Sequence, residues 1–244
     1  MTLSGYTSSE LYHFVGWTDP ENDERNYETL LKVLKSGRIS HHPHDGPDGT
    51  VSYKLERAGP WLKEKFIVPA VTCYCDIPRE HLSLHRAKYG NFGVGFDRSY
   101  LIKYGARPVI YIPVSTSDFG SPFGGSQMLH DIQAQYVGFL EQCVDPEEDH
   151  LPDKRSLARK PANVHEALAG ITSVIEKSIL AFIKPFNADL SDDNRSNYYL
   201  EREWRMYGNL PFRGQLKSVL VPGSFVDRAK HDVPEFAELV VPLA

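Results

Sequence analysis

The densest set of chemically capable side chains lies in Tyr198-Tyr-Leu-Glu-Arg-Glu-Trp-Arg-Met-Tyr207. Read as a strand, this segment alternates: Tyr199, Glu201, Glu203, Arg205 and Tyr207 share one face, and Tyr198, Leu200, Arg202, Trp204 and Met206 the other. Glu201 and Glu203 then stand about 7 Å apart on a rigid element. Like charges so placed repel unless a cation or polar ligand answers them. Such a pair suits general acid–base work, or the stabilisation of positive charge developing on a substrate. It equally describes a solvent-facing strand whose glutamates pair with Arg202 or Arg205. A second candidate is His13, inside the apolar run Glu10-Leu-Tyr-His-Phe-Val15, where a histidine is either a backbone-bonded core residue or a ligand. His41, His42, His44 and Asp45, and the pair His81 and His85 at i and i+4 of an expected helix, have metal-ligating side chains. Neither set carries the glutamate that a metalloprotease helix needs, and Cys73-x-Cys75 lacks a second cysteine pair, so no metal site is expected. Asp76 beside Cys75 disfavours the thiolate, which makes that cysteine structural. Gly93-x-Gly95 has no third glycine or Lys-Ser/Thr and is no phosphate fingerprint, but its bare backbone offers a close approach.

These residues need elements to hold them. The chain has 244 residues, 41% hydrophobic and 24% charged, an ordinary globular balance that rules out a disordered or low-complexity protein. A net charge of -5 argues against a broad basic surface for nucleic acid, leaving only a local patch such as Lys154 to Lys160. Three cysteines, an odd number, do not make a secreted disulfide framework. The first residues lack a basic, apolar leader, and no run approaches the roughly 20 apolar residues of a membrane span, so a cytoplasmic chain away from membranes is expected. The pattern predicts a first strand through His13 and a helix burying Tyr27, Leu30, Leu31 and Leu34 and stopped by Gly37. Strands follow at 68–75, 92–96 and 108–113, with short helices after Pro78 and after Asp97. Helices over 127–143 and 163–183, strands at 198–207 and 216–221, a helix at 224–230 and a closing strand at 236–241 complete the order. Together they predict an α+β fold: a single domain over residues 1–244 with a mixed or antiparallel sheet and a helical insertion at about 126–186.

Val71-Thr-Cys-Tyr-Cys-Asp-Ile-Pro78, Lys88-Tyr-Gly-Asn-Phe-Gly-Val-Gly-Phe96, Arg107-Pro-Val-Ile-Tyr-Ile112 and Tyr199-Leu-Glu-Arg-Glu-Trp-Arg205 resemble, in that order, the AbiGi-type abortive phage resistance proteins. The similarity spans roughly residues 10 to 221, and its Cys-Asp-Ile-Pro and Glu-Arg-Glu-Trp-Arg segments are the most specific. It implies an abortive-infection component of a family often labelled antitoxin.

Tyr12-His13-Phe14, followed by a helix ending Leu34-Lys-Ser-Gly-Arg-Ile39, is similar to the start of DarT-like ADP-ribosyltransferases. That resemblance implies an ADP-ribosyltransferase-like fold with NAD as substrate. His13 would hold a ribose hydroxyl, with Tyr12 and Phe14 beside it. Glu203 would face the cationic ribose, and Glu201 would orient the acceptor. Tyr74 would be the middle-strand aromatic, Arg38, Arg57 or Lys65 would hold the pyrophosphate, and Gly93 would lie under the dinucleotide. The acceptor would be RNA, DNA or protein, and a neutralising antitoxin or chaperone would restrain the toxin. The expectation is thus an NAD-dependent transferase toxin. Its alternative is a non-catalytic antitoxin or sensor partner, with a metal-dependent nuclease ranked third. The transferase requires His13 and Glu203 to meet in one cleft.

Overall fold

The computed structural model describes residues 8–41, 51–118, 121, 124–143, 163–194 and 196–243. His42, His44, Asp45 and the basic cluster Lys154 to Lys160 lie outside them.

Local signals set the first elements. After strand β1 (Glu10–Phe14), the Asn22 side chain accepts the amide of Arg25 and caps helix α1 (Asp23–Ser36). Asp23 and Glu24 in the first turn and Lys35 in the last complement the helix dipole. Tyr27, Leu30 and Leu34 bury one face, and Gly37 ends the helix in the left-handed region at φ 68°. The chain continues through β2 (Arg38–Ile39), β3 (Tyr53–Leu55), β4 (Ile67–Pro69), β5 (Val71–Cys75), α2 (Ser83–Tyr89), β6 (Gly93–Asp97), α3 (Arg98–Lys103), β7 (Arg107–Pro108) and β8 (Ile110–Val114). Then come α4 (Gly125–Cys143), α5 (Val164–Ser178), β9 (Ile183–Asn187), β10 (Glu203–Tyr207), β11 (Leu210–Pro211), β12 (Leu216–Pro222), α6 (Val226–Asp232) and β13 (Val240–Leu243). The mixed α+β class expected from the sequence is present.

The elements form two compact units, Met1–Val51 with Ala70–Val109 and Asp192–Ala244, and Ser52–Pro69 with Ile110–Ser191. In the first unit a seven-stranded sheet runs β13-β12-β6-β1-β5-β10-β7, antiparallel except for the parallel β12–β13 pair. One face buries Leu11, Tyr74, Val94, Phe96, Met206 and Val219 together with α1, Leu101 of α3 and Ala229 of α6. The other face buries Tyr12, Phe14, Cys75 and Leu220 with Ile77, Leu82 and Leu243. The bare backbone of β6 is not open. A Cβ at Gly95 would lie 2.2 Å from Ser218 Oγ and 2.7 Å from Glu10 Oε2, and one at Gly93 would lie 2.7 Å from the His13 carbonyl. Both glycines let β1 and β12 close onto β6.

In the second unit β3 pairs antiparallel with β4, and β8 parallel with β9. Trp61 packs on Phe66, which meets Tyr136 of α4 edge-on. Helix α5 turns its expected apolar row only partly inward, with Leu168 and Ile175 half-buried and Val164 and Ile171 exposed. The spacing of Val164, Leu168, Ile171 and Ile175 predicts a buried apolar face, yet the buried positions are Thr172, Ser173 and Glu176. Glu176 accepts the hydroxyls of Tyr53 at 2.6 Å and Tyr136 at 2.8 Å, whereas Val164 is 71% exposed and Ile171 57%.

Several expected boundaries move. The run 68–75 is two strands parted at Ala70, and 108–113 splits at Val109 between the two units. The helix expected to reach 183 ends at Ser178, and Pro185 sits inside β9. At the closing segment a 3-10 turn, Pro234–Leu239, precedes β13.

Candidate functional site

The segment 198–207 is not one strand. Tyr199–Glu201 form a 3-10 turn, Arg202 follows in the left-handed region at φ 45°, and β10 starts only at Glu203. The period-2 alternation that would pair Glu201 with Glu203 therefore breaks between them. An arginine at positive φ is uncommon and strained, and such residues persist where surrounding contacts fix them. Here the Asp76 amide donates to the Arg202 carbonyl at 3.1 Å, and the Arg202 guanidinium lies 3.6 Å from the Asp76 carboxylate.

Around this kink, buried carboxylates meet cations that range from buried to partly exposed. Arg205 Nε donates to Glu203 Oε1 at 2.7 Å, both residues being buried. Glu201 Oε1 accepts the Tyr89 hydroxyl at 2.5 Å and faces Lys88 Nζ at 3.4 Å. Asp76 accepts Arg98 at 2.9 Å and the amide of Ser8 at 3.1 Å. Three carboxylates thus face four cations, Lys88, Arg98, Arg202 and Arg205. Burial, reinforced by the Glu201 charge, holds the Tyr89 hydroxyl protonated far above its ordinary range, so it acts as a donor. Burial likewise pushes the Cys75 thiol up, in keeping with a structural cysteine.

Register decides where His13 lies relative to these groups. Directly opposed residues in an antiparallel sheet share a face, and the face alternates along each strand. Tyr12 opposes Cys75, and Cys75 opposes Glu203, so Tyr12, Cys75 and Glu203 share one face. His13 opposes Val94, on the other face, where its ring sits 5.7 Å from Tyr74. Strand β5 also lies between β1 and β10. The imidazole and the Glu203 carboxylate thus stand on opposite sides of the sheet. His13 Nδ1 bonds the Cys73 carbonyl at 2.8 Å. Burial lowers the His13 pKa and the bond to Cys73 partly offsets that effect.

The other expected NAD contacts scatter. Tyr12 and Phe14 are buried in the smaller core, with Phe14 edge-on to His85, and Tyr74 is buried on the opposite face with its hydroxyl on Thr72. Gly93 is filled against β1. Arg38 lines a cleft of about 660 Å³, with Ser36, Gly37, Tyr100, Tyr104, Pro211, Arg213 and Gln215. His81 ends a 3-10 turn and His85 lies in α2, so the two do not share a helix face. Among the described residues no group of three or more His, Cys, Asp and Glu side chains gathers as a metal site would require.

Sequence reasoning missed the hub at Asp76 and the partners Lys88, Tyr89 and Arg98. The signal was available in part: Asp76 belongs to Cys-Asp-Ile-Pro, Lys88 and Tyr89 open the glycine-strand motif, and both motifs meet the Glu-Arg-Glu-Trp-Arg segment here. The segments that most define the resemblance are therefore joined by ion pairs to buried carboxylates.

A family model described as "Putative abortive phage resistance protein AbiGi, antitoxin" matches residues 52–232. The chain belongs to the AbiGi family. No curated protein and no solved structure matches it. No helix among the described residues is long and apolar enough to cross a membrane.

Proposed function

We propose that this chain is the antitoxin of an abortive-infection system, acting by binding a toxin protein rather than by transferring ADP-ribose. The outward apolar row of α5 carries this reading. Val164 and Ile171, one heptad apart, and Val174 are exposed while the buried face of the same helix is polar. A helix normally buries its apolar stripe, and an exposed one marks a surface that another protein covers. The description of the matching family agrees with this.

The transferase reading fares worse on geometry. It needs a carboxylate and an imidazole converging on NAD, and Glu203 and His13 lie on opposite faces of the sheet. Glu203 also spends its charge on Arg205. Co-expression is the direct test. Cells making the toxin of the same system should survive when this chain is present, and the two proteins should co-purify as a stoichiometric complex. Transfer of labelled NAD to RNA, DNA or lysate protein, lost in Glu203→Gln, would overturn the proposal.

A further inference from the structure

We infer that Glu176, with Tyr53 and Tyr136, is a latch that selects one of two orientations of α5, the one in which its apolar row faces outward. Both sides of this helix sit against their chemistry. Outward, Val164, Ile171 and Val174 are exposed. Inward, Thr172 and Ser173 are buried, and their hydroxyl oxygens find no hydrogen-bond partner among the described residues. Buried hydroxyls are nearly always bonded, and one left unmatched disfavours the state that buries it. A helix ordinarily turns its apolar side chains inward, and α5 has them to bury. The observed orientation therefore needs a contact that outweighs both.

Glu176 supplies it. Its Oε2 accepts the Tyr53 hydroxyl at 2.6 Å and its Oε1 the Tyr136 hydroxyl at 2.8 Å, so each carboxylate oxygen is answered. Hydrogen bonds to a charged acceptor are stronger than neutral ones. Burial and the Glu176 charge hold the Tyr136 hydroxyl protonated, which keeps it a donor. Other elements place the two hydroxyls. Tyr53 lies in β3, which pairs with β4, and the Tyr136 ring of α4 meets Phe66, the residue before β4, edge-on.

Residues two apart on a helix stand about 200° apart around its axis. Half a turn of α5 would thus exchange Thr172 for Val174 and Ser173 for Ile171, taking the row inward and the hydroxyls to water. Glu176 would leave its tyrosines in the same motion. The latch and the row pull in opposite directions, which gives the helix two packings in equilibrium. Only the row-outward packing presents the surface assigned to the toxin, so the latch sets the competent fraction of the chain. That consequence rests on the antitoxin reading; the two orientations do not.

The test is iodoacetamide labelling of the full chain without toxin, read by peptide mass mapping. In an otherwise wild-type chain Ile171→Cys should label fast and Ser173→Cys slowly. With Tyr53→Phe and Tyr136→Phe added, Ser173→Cys should label about tenfold faster or more, and Ile171→Cys about twofold slower or more, as expected when two hydrogen bonds to a charged group are lost. Helix content by circular dichroism should not change. Glu176→Gln keeps the shape and removes the charge, so it should move both rates in the same directions by smaller factors; it carries the two readings if the double variant loses its cooperative melt. Faster labelling of Ser173→Cys with no slowing of Ile171→Cys would show a helix that loosens without turning, and unchanged rates would show tyrosines that hold nothing. Either result overturns the inference. Because no toxin is present, failure of the antitoxin reading leaves the expected rates as they are.

Discussion

Glu203 and Arg205 show how a single ion pair changes meaning with burial. On a surface the pair would be worth under about 1 kcal/mol; buried, its integrity matters because removing one partner strands the other charge. Glu203→Ala should cost about 3–5 kcal/mol, seen as a lower urea midpoint at unchanged slope. The thiols offer a second test: Cys73 is exposed and Cys75 buried with its pKa raised, so iodoacetamide at pH 8 should label Cys73 and spare Cys75 in peptide mass mapping. His13 supplies a third. Its folded pKa lies below the ordinary 6.5, so between those values the unfolded chain binds more protons than the folded one. Its contribution to stability is complete above pH 6.5 and is lost as pH falls below that value toward the folded pKa. Denaturation midpoints measured from pH 7.5 to 5 should show this loss in the wild type and lack it in His13→Gln.

At the level of elements, α5 joins the structure to the proposed role. Ile171→Glu places a charge on the outward row without touching Thr172, Ser173 or Glu176. The melting temperature should stay within a degree or two while neutralisation of the toxin and co-purification are lost. Equal neutralisation by the variant would remove α5 from the contact. The same helix shows what sequence pattern conveys and what it omits. The periodicity of Val164, Leu168 and Ile171 correctly predicted a helix, but a period says which residues share a face, not whether that face turns inward. Glu176 wins the interior because Tyr53 and Tyr136 satisfy its carboxylate, and those residues are 123 and 40 positions away in sequence. The kink at Arg202 was hidden for a similar reason: alternation continues through it on paper, and the contacts that hold the left-handed turn come from Asp76, far away in sequence. By contrast α1 was legible almost residue by residue, since its buried face and Gly37 stop are local features.

For the whole molecule, the first unit is assembled from three separated stretches and the second from two, so the chain passes between them repeatedly. Strand β5 gains its β10 neighbour, and β6 its β12 neighbour, from residues more than a hundred positions later. Such pairing is non-local and slow to form. A chain ended before Glu203 should leave the amides of Val71–Cys75 and Gly93–Asp97 poorly protected in hydrogen exchange, whereas the intact protein protects them strongly.

The strand order also has a consequence during synthesis. On the ribosome, β1, β5 and β6 emerge early, with β1 already between its two neighbours but both outer edges bare until residues 203–222 leave the exit tunnel. From the emergence of β6 until β10 and β12 follow, the nascent chain therefore presents adhesive strand edges, and a pause anywhere in that interval would prolong the exposure.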